Sequence, residues 1–109
     1  MVSKGSRLPY EEFRARGYRG TATPYFLVKA KKNSLKKNRF GVIITASLIK
    51  SAARRNFWRR QAKSTFLSLE TPPDGFDVFV VLRSRLTLPQ KNTFKEVLGK
   101  SIISAISHL

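Results

Sequence analysis

The sequence predicts one α+β domain with its elements in the order α-β-β-α-β-α. Three observations carry that prediction. Two apolar runs, residues 39–45 and 76–82, have strand character, and a long basic helical pattern lies between them. A second helical pattern of apolar residues closes the chain. The 109 residues are 41% hydrophobic and include eight Phe, three Tyr and one Trp, enough to bury a core without disulfides or metal.

Taken in order, Pro9, Tyr10, Glu11, Glu12, Phe13, Arg14, Ala15 and Arg16 read as a short helix. Proline opens it, and the acids sit near the positive end of its dipole. Gly17 and Gly20 then break the pattern. Residues 23–31 alternate as a strand, with Phe26, Val28 and Ala30 on one side and Tyr25, Leu27, Lys29 and Lys31 on the other. An extra short strand fits near Thr21 to Thr23. The basic stretch from Lys32 to Asn38 reads as a hairpin loop into a second strand, Arg39 to Thr45. A long helix runs from Ser51 to Leu69 and ends at the turn Pro72-Pro73-Asp74-Gly75. Phe76 to Leu82 is apolar at nearly every position, the pattern of a strand buried on both faces. Thr87-Leu88-Pro89 starts the last helix, where Phe94, Leu98, Ile102, Ala105, Ile106 and Leu109 recur at helical spacing. No internal repeat divides the chain: residues 1–109 form one domain, with residues 1–6 expected to be disordered.

The charge balance points to a partner. There are 22 Lys and Arg against six Asp and Glu, a net charge of +16. Such a surplus destabilises a compact chain by self-repulsion unless a polyanion neutralises it. Nucleic acid is the leading partner class and an anionic membrane surface a distant second. No apolar run approaches the roughly 20 residues of a membrane span, and Met1 to Gly5 lack the apolar core of a secretion signal. The expectation is a soluble, cytoplasmic protein with no membrane partner.

The basic residues concentrate between Lys50 and Lys63, where six of them interleave with large apolar side chains. At about 100° per residue, Trp58, Ala62, Thr65, Phe66 and Leu69 share the side that should pack on the sheet. Asn56, Arg59, Arg60 and Lys63 project on another arc, with Arg55 at its border; Lys50 and Arg54 flank it. Arginine and lysine neutralise phosphates, arginine through a planar fork, and an exposed asparagine can read a base edge or sugar hydroxyl. An ordinary solvated helix face would carry acids for i,i+4 pairing, but no acid lies between Glu12 and Glu70. This helix is expected to bind a polyanion.

Residues for protein-borne chemistry are scarce. Cysteine is absent, which removes disulfides, thiolate metal sites and a cysteine nucleophile. The acids Glu11, Glu12, Glu70, Asp74, Asp77 and Glu96 suggest no metal cluster. His108, the only histidine, adjoins the C-terminus. No catalytic residue and no protein-held metal are expected.

The same residues resemble the protein subunit of bacterial ribonuclease P. That family has an R-hydrophobic-G strand followed by a helix containing R-N-x-x-[KR]-R-x-x-[RK]. This chain offers Arg39-Phe40-Gly41-Val42-Ile43-Ile44 and then Arg55-Asn56-Phe57-Trp58-Arg59-Arg60-Gln61-Ala62-Lys63. Tyr10-Glu11-Glu12-Phe13, Phe26-Leu27-Val28 and the G-x-D strand from Gly75 to Arg83 extend the likeness over about residues 7–107. The resemblance implies an α-β-β-(β)-α-β-α sandwich with a four-stranded mixed sheet and a left-handed βαβ crossover, like the second domain of a small-subunit ribosomal protein. Left-handedness runs against the default for parallel strands.

The resemblance also implies a function. Lys50, Arg54, Arg55, Asn56, Arg59, Arg60 and Lys63 would face the catalytic RNA, while Phe13, Tyr18, Tyr25 and Lys29 would line a cleft for the 5′ leader of precursor tRNA. One protein would serve each RNA, and Mg2+ held mainly by the RNA would support leader removal. Three positions depart from the family pattern. Gly17, with Tyr18 beside it, stands where a second cleft aromatic is frequent. Lys29 stands where a tyrosine is common. Ala46-Ser47 replace a lysine pair, leaving Lys50 as the main charge there. The alternatives are a ribosomal or assembly protein that only binds structured RNA and, more remotely, a membrane-active cationic protein.

Overall fold

In a computed structural model of the chain, the residues described are 6–9, 11, 13, 16–35, 37–69, 75–86 and 90–107. They form β1 (Ser6–Arg7), β2 (Arg19–Ala22), β3 (Phe26–Lys32), β4 (Arg39–Ile43), α1 (Ala52–Ser68), β5 (Phe76–Leu82) and α2 (Lys91–Ser107). The sheet order is β1-β4-β5-β3-β2. Strands β2 to β5 make the four-stranded mixed sheet of the expected α+β domain, and two-residue β1 extends it alongside β4. Parallel neighbours β4 and β5 are joined through α1, which is the βαβ unit that the resemblance implies.

Strand β5 is central, paired with β3 on one side and β4 on the other, so its near-continuous apolar run is buried as expected. This corrects the hairpin reading of residues 32–38. That stretch connects β3 to β4, but β5 lies between them. The hairpin is instead β2–β3, in the region where the extra strand was expected. Thr23 makes its turn: the hydroxyl accepts hydrogen bonds from the amides of Tyr25 (3.2 Å) and Phe26 (3.1 Å). With Pro24 at the corner, the regular ladder of β3 starts at Phe26, one residue after the Tyr25 carbonyl accepts from the Arg83 amide at 2.7 Å.

Both helices pack on one face of the sheet. Phe26, Val28 and Ala30 of β3 and Val78, Val80 and Leu82 of β5 meet Trp58, Ala62 and Phe66 of α1 and Phe94, Leu98, Ile102 and Ala105 of α2. Edge-to-face rings join the layers, Phe26 to Phe94 (5.7 Å) and Phe94 to Trp58 (5.1 Å), while Phe40 stacks on Phe66 at 4.5 Å. Helix α1 begins after Ser51, whose hydroxyl accepts from the Arg54 amide, and ends within a residue of its expected limit.

The first expected helix is not an α-helix at its described positions, because Glu11 and Phe13 lie in 3₁₀ geometry; Tyr10, Glu12, Arg14 and Ala15 are outside the described residues. So are most of the turn expected at 72–75, the start of the last helix at 87–89, and His108. The disorder expected for residues 1–6 falls there too, except that Ser6 opens β1.

Candidate nucleic-acid interface

The sheet face opposite the helices carries Arg39, Gly41 and Ile43 of β4, Asp77, Phe79 and Val81 of β5, and Leu27, Lys29 and Lys31 of β3, aligned by register. Phe13 lies over the middle of this face, above Gly41. Phe79 forms the floor there, with Phe13 (5.1 Å) and Tyr18 (5.0 Å) edge-on to its ring. The Lys31 ammonium lies 4.8 Å from the Tyr18 ring centre. Lys29 pairs in register with Phe79 and so shares this patch. Phe13, Tyr18 and Lys29 are therefore brought together. Tyr25 is not. It packs against the core just before the start of β3, four residues from Lys29, or roughly 13 Å at strand spacing.

On α1, the apolar and cationic arcs separate as the periodicity requires. Trp58, Ala62, Thr65 and Phe66 are buried, while Arg54, Asn56, Arg59, Arg60 and Lys63 are exposed, as is Lys50 before the helix. Arg55 is half-buried. Asn56, Arg59 and Lys63 line a cleft of about 600 Å³ that runs from α1 to the edge of β4; Phe40, Phe66 and Phe13 give it an apolar side. The cleft thus brings Phe13, from the expected leader set, together with the cationic set. It also recruits Arg7, which sequence reasoning missed because only its charge was visible there. Lys31 was missed as well, although its alternation with Lys29 was an available signal.

Two of the described acids, Asp77 and Glu96, are taken up by ion pairs of their own. Glu96 pairs with Lys100 at 3.3 Å on α2, and no cation of α1 is ion-paired among the described residues. Asp77 is completely buried and serves the scaffold. Arg39 donates to it through Nε (2.8 Å) and Nη2 (2.6 Å), and the Asn33 amide donates at 2.7 Å. Burial alone would raise the Asp77 carboxyl. The hydrogen bonds from Arg39 and Asn33 and the charges of Arg39 and Lys31 together outweigh it, holding the group below its ordinary value. Among the described residues, no three carboxylate or imidazole side chains gather to hold a metal ion.

Comparison with known proteins places this geometry. A family model described as Ribonuclease P matches residues 9–105. The chain belongs to the ribonuclease P protein family. Its fold is that of the ribonuclease P protein from Thermotoga maritima, at 19% identity and a TM-score of 0.64 over 95% of this chain and 97% of that one. The ribonuclease P protein of Staphylococcus aureus is similar at 17% identity and a TM-score of 0.65, covering 92% of this chain and 90% of that one. A search of curated protein sequences gives no significant match.

The structure gives the ribonuclease P signatures outside the basic helix a physical reason. Arg39 of the R-hydrophobic-G strand is the partner of Asp77 in the G-x-D strand. Phe40 between them turns inward onto Phe66. A Cβ on Gly41 would lie 2.7 Å from the Phe13 ring and 3.3 Å from Leu8, so glycine is what lets Phe13 rest on the sheet. At Gly75 a Cβ would meet Asn33 Oδ1 and the carbonyls of Leu35 and Lys37, because the 33–37 loop folds over it. That loop is ordered by Asn33, which donates to the Lys37 carbonyl and accepts from the Leu35 amide.

Proposed function

We propose that this chain is the protein component of a ribonuclease P holoenzyme. It binds the catalytic RNA through Lys50, Arg54, Asn56, Arg59, Arg60 and Lys63, and receives the 5′ leader of precursor tRNA on the Phe13, Tyr18 and Lys29 patch. The RNA subunit and the Mg2+ it holds perform the hydrolysis, with one protein for each RNA. The protein's share is electrostatic and positional: it neutralises phosphates and holds the leader in register for endonucleolytic removal. The observation that supports this reading most is the adjacency of an acid-free cationic helix face and an aromatic sheet patch, joined by one cleft. The first suits a phosphate backbone and the second suits unstacked bases.

The test is cleavage of a precursor tRNA by the ribonuclease P RNA of the same organism at low Mg2+, with and without this protein. Stimulation with a correctly placed 5′ cut is expected. No stimulation, together with tight binding to other structured RNA, would replace this reading with that of a ribosomal or assembly protein.

The leader patch has its own test in Gly41→Ala, which pushes Phe13 from its seat without removing a charge. Affinity for a precursor tRNA with a leader should fall by up to the value of one stacked base, about 1–3 kcal/mol, and affinity for mature tRNA should not change. Equal losses on both substrates would separate Phe13 from the leader.

A further inference from the structure

Arg55 differs from the other cations of α1. It alone is half-buried, and its Nη1 group donates to two backbone carbonyls, Ile49 at 2.8 Å and Lys50 at 2.9 Å. Both carbonyls belong to the connection that carries the chain from β4 into α1. The connection is tight, since the Thr45 carbonyl accepts from the amides of both Leu48 and Ile49. Arg59 adds a longer interaction, from Nη2 to the Ile44 carbonyl at 3.5 Å.

We propose that Arg55 is a positioning residue: it clamps the 49–50 backbone and so sets where Lys50 presents its charge to RNA, and it is not itself a phosphate contact. The proposal rests on the RNA-binding role proposed for α1. The location of Arg55 supports it. Helix α1 has no acid in its first turn, and a cation there opposes the helix dipole. Two carbonyl acceptors supply the compensation that a solvated cation at this place would lack. The choice of arginine follows too. One planar nitrogen delivers two hydrogens in fixed directions, whereas the flexible lysine ammonium is a point charge that reproduces neither the reach nor the fork.

The experiment compares Arg55→Lys, Arg55→Gln and Lys50→Ala, alone and combined, in the full chain. One readout is binding to ribonuclease P RNA as a function of salt, and the other is amide exchange across residues 45–53 without RNA. A clamp predicts that Arg55→Lys, although it keeps the charge, weakens RNA binding about as much as Arg55→Gln. Both variants should exchange faster across 45–53. Adding Lys50→Ala to either should cost less than it costs the unaltered protein, because the Lys50 charge is already misplaced. A phosphate contact predicts near-normal binding and exchange for Arg55→Lys, a salt slope lowered by about one unit in Arg55→Gln, and additive loss with Lys50→Ala. That pattern would overturn the proposal. Should Arg55→Gln fail to fold, the binding, exchange and Lys50 coupling of Arg55→Lys decide alone. If the unaltered protein does not prefer ribonuclease P RNA, the functional reading fails instead, and the salt series on a tRNA transcript with the exchange data still decides for Arg55.

Discussion

Asp77→Ala is expected to lower folding stability by about 3–5 kcal/mol, the usual loss when one partner of a buried ion pair is removed. The pair qualifies: Asp77 is fully buried and the Arg39 side chain is 16% exposed, so deletion takes from a largely buried guanidinium the carboxylate that accepts two of its hydrogen bonds. Asn33 loses one of its two acceptors as well, and with it a tie between the 33–37 loop and β5. Against a typical total of about 5–15 kcal/mol, the variant should be marginal at 37 °C by urea or thermal unfolding. Arg39→Met combined with Asp77→Leu should lose less than either single change, since no charge is then stranded. A milder loss in Asp77→Ala than in this double variant would remove the pair from the scaffold's main supports. The pH dependence follows from the lowered carboxyl. Its stabilisation is fully present above the unfolded-state value near 3.8 and is lost as pH falls through the lower folded-state value. Asp77→Asn should therefore flatten the acid limb of the stability profile below about pH 4 and leave its neutral slope alone.

The second large effect is on binding. Replacing Arg59, Arg60 and Lys63 together by alanine should lower the slope of log affinity against log salt by about 2–3, at roughly 0.7–0.9 for each phosphate no longer neutralised. The helix should survive, because Trp58, Ala62, Thr65 and Phe66 make its buried side and alanine has the highest helix propensity. Removing three of sixteen net charges also relieves self-repulsion, so stability without RNA should hold or rise. An unchanged salt slope in the folded variant would move the RNA interface off α1.

These two predictions concern parts that differed in how readable they were. Helix α1 was legible because Trp58, Ala62, Phe66 and the cations recur at a period that only a helix satisfies. The same holds for β3, where Phe26, Val28 and Ala30 alternate onto the core, and for β5, whose unbroken apolar run announces a central strand. The order of strands was not legible. Local pattern says that residues 26–32 and 39–43 are extended, but nothing local says that β5 slides between them. Asp77 illustrates the same limit. As a residue it was one of six scattered acids, and its meaning depends on an arginine 38 positions away. The only trace in the sequence was the joint presence of the R-hydrophobic-G and G-x-D strands. Within the candidate site, Tyr25 and Lys29 share an alternation parity, yet the Thr23 turn leaves Tyr25 beyond the patch that holds Lys29.

The central place of β5 has a consequence for synthesis. Strands β3 and β4 each turn an edge toward a gap that only β5 can fill, and β5 is made after both of them and after α1. While the chain emerges from the ribosome, those edges stay open and their amides unpaired until residues 76–82 arrive. A nascent chain that has just passed Leu69 already holds every basic residue of α1 but lacks the strand that joins β4 to the β2–β3 hairpin. Acquisition of shape thus waits on the last strand, and the cationic surface becomes a defined surface only at that moment.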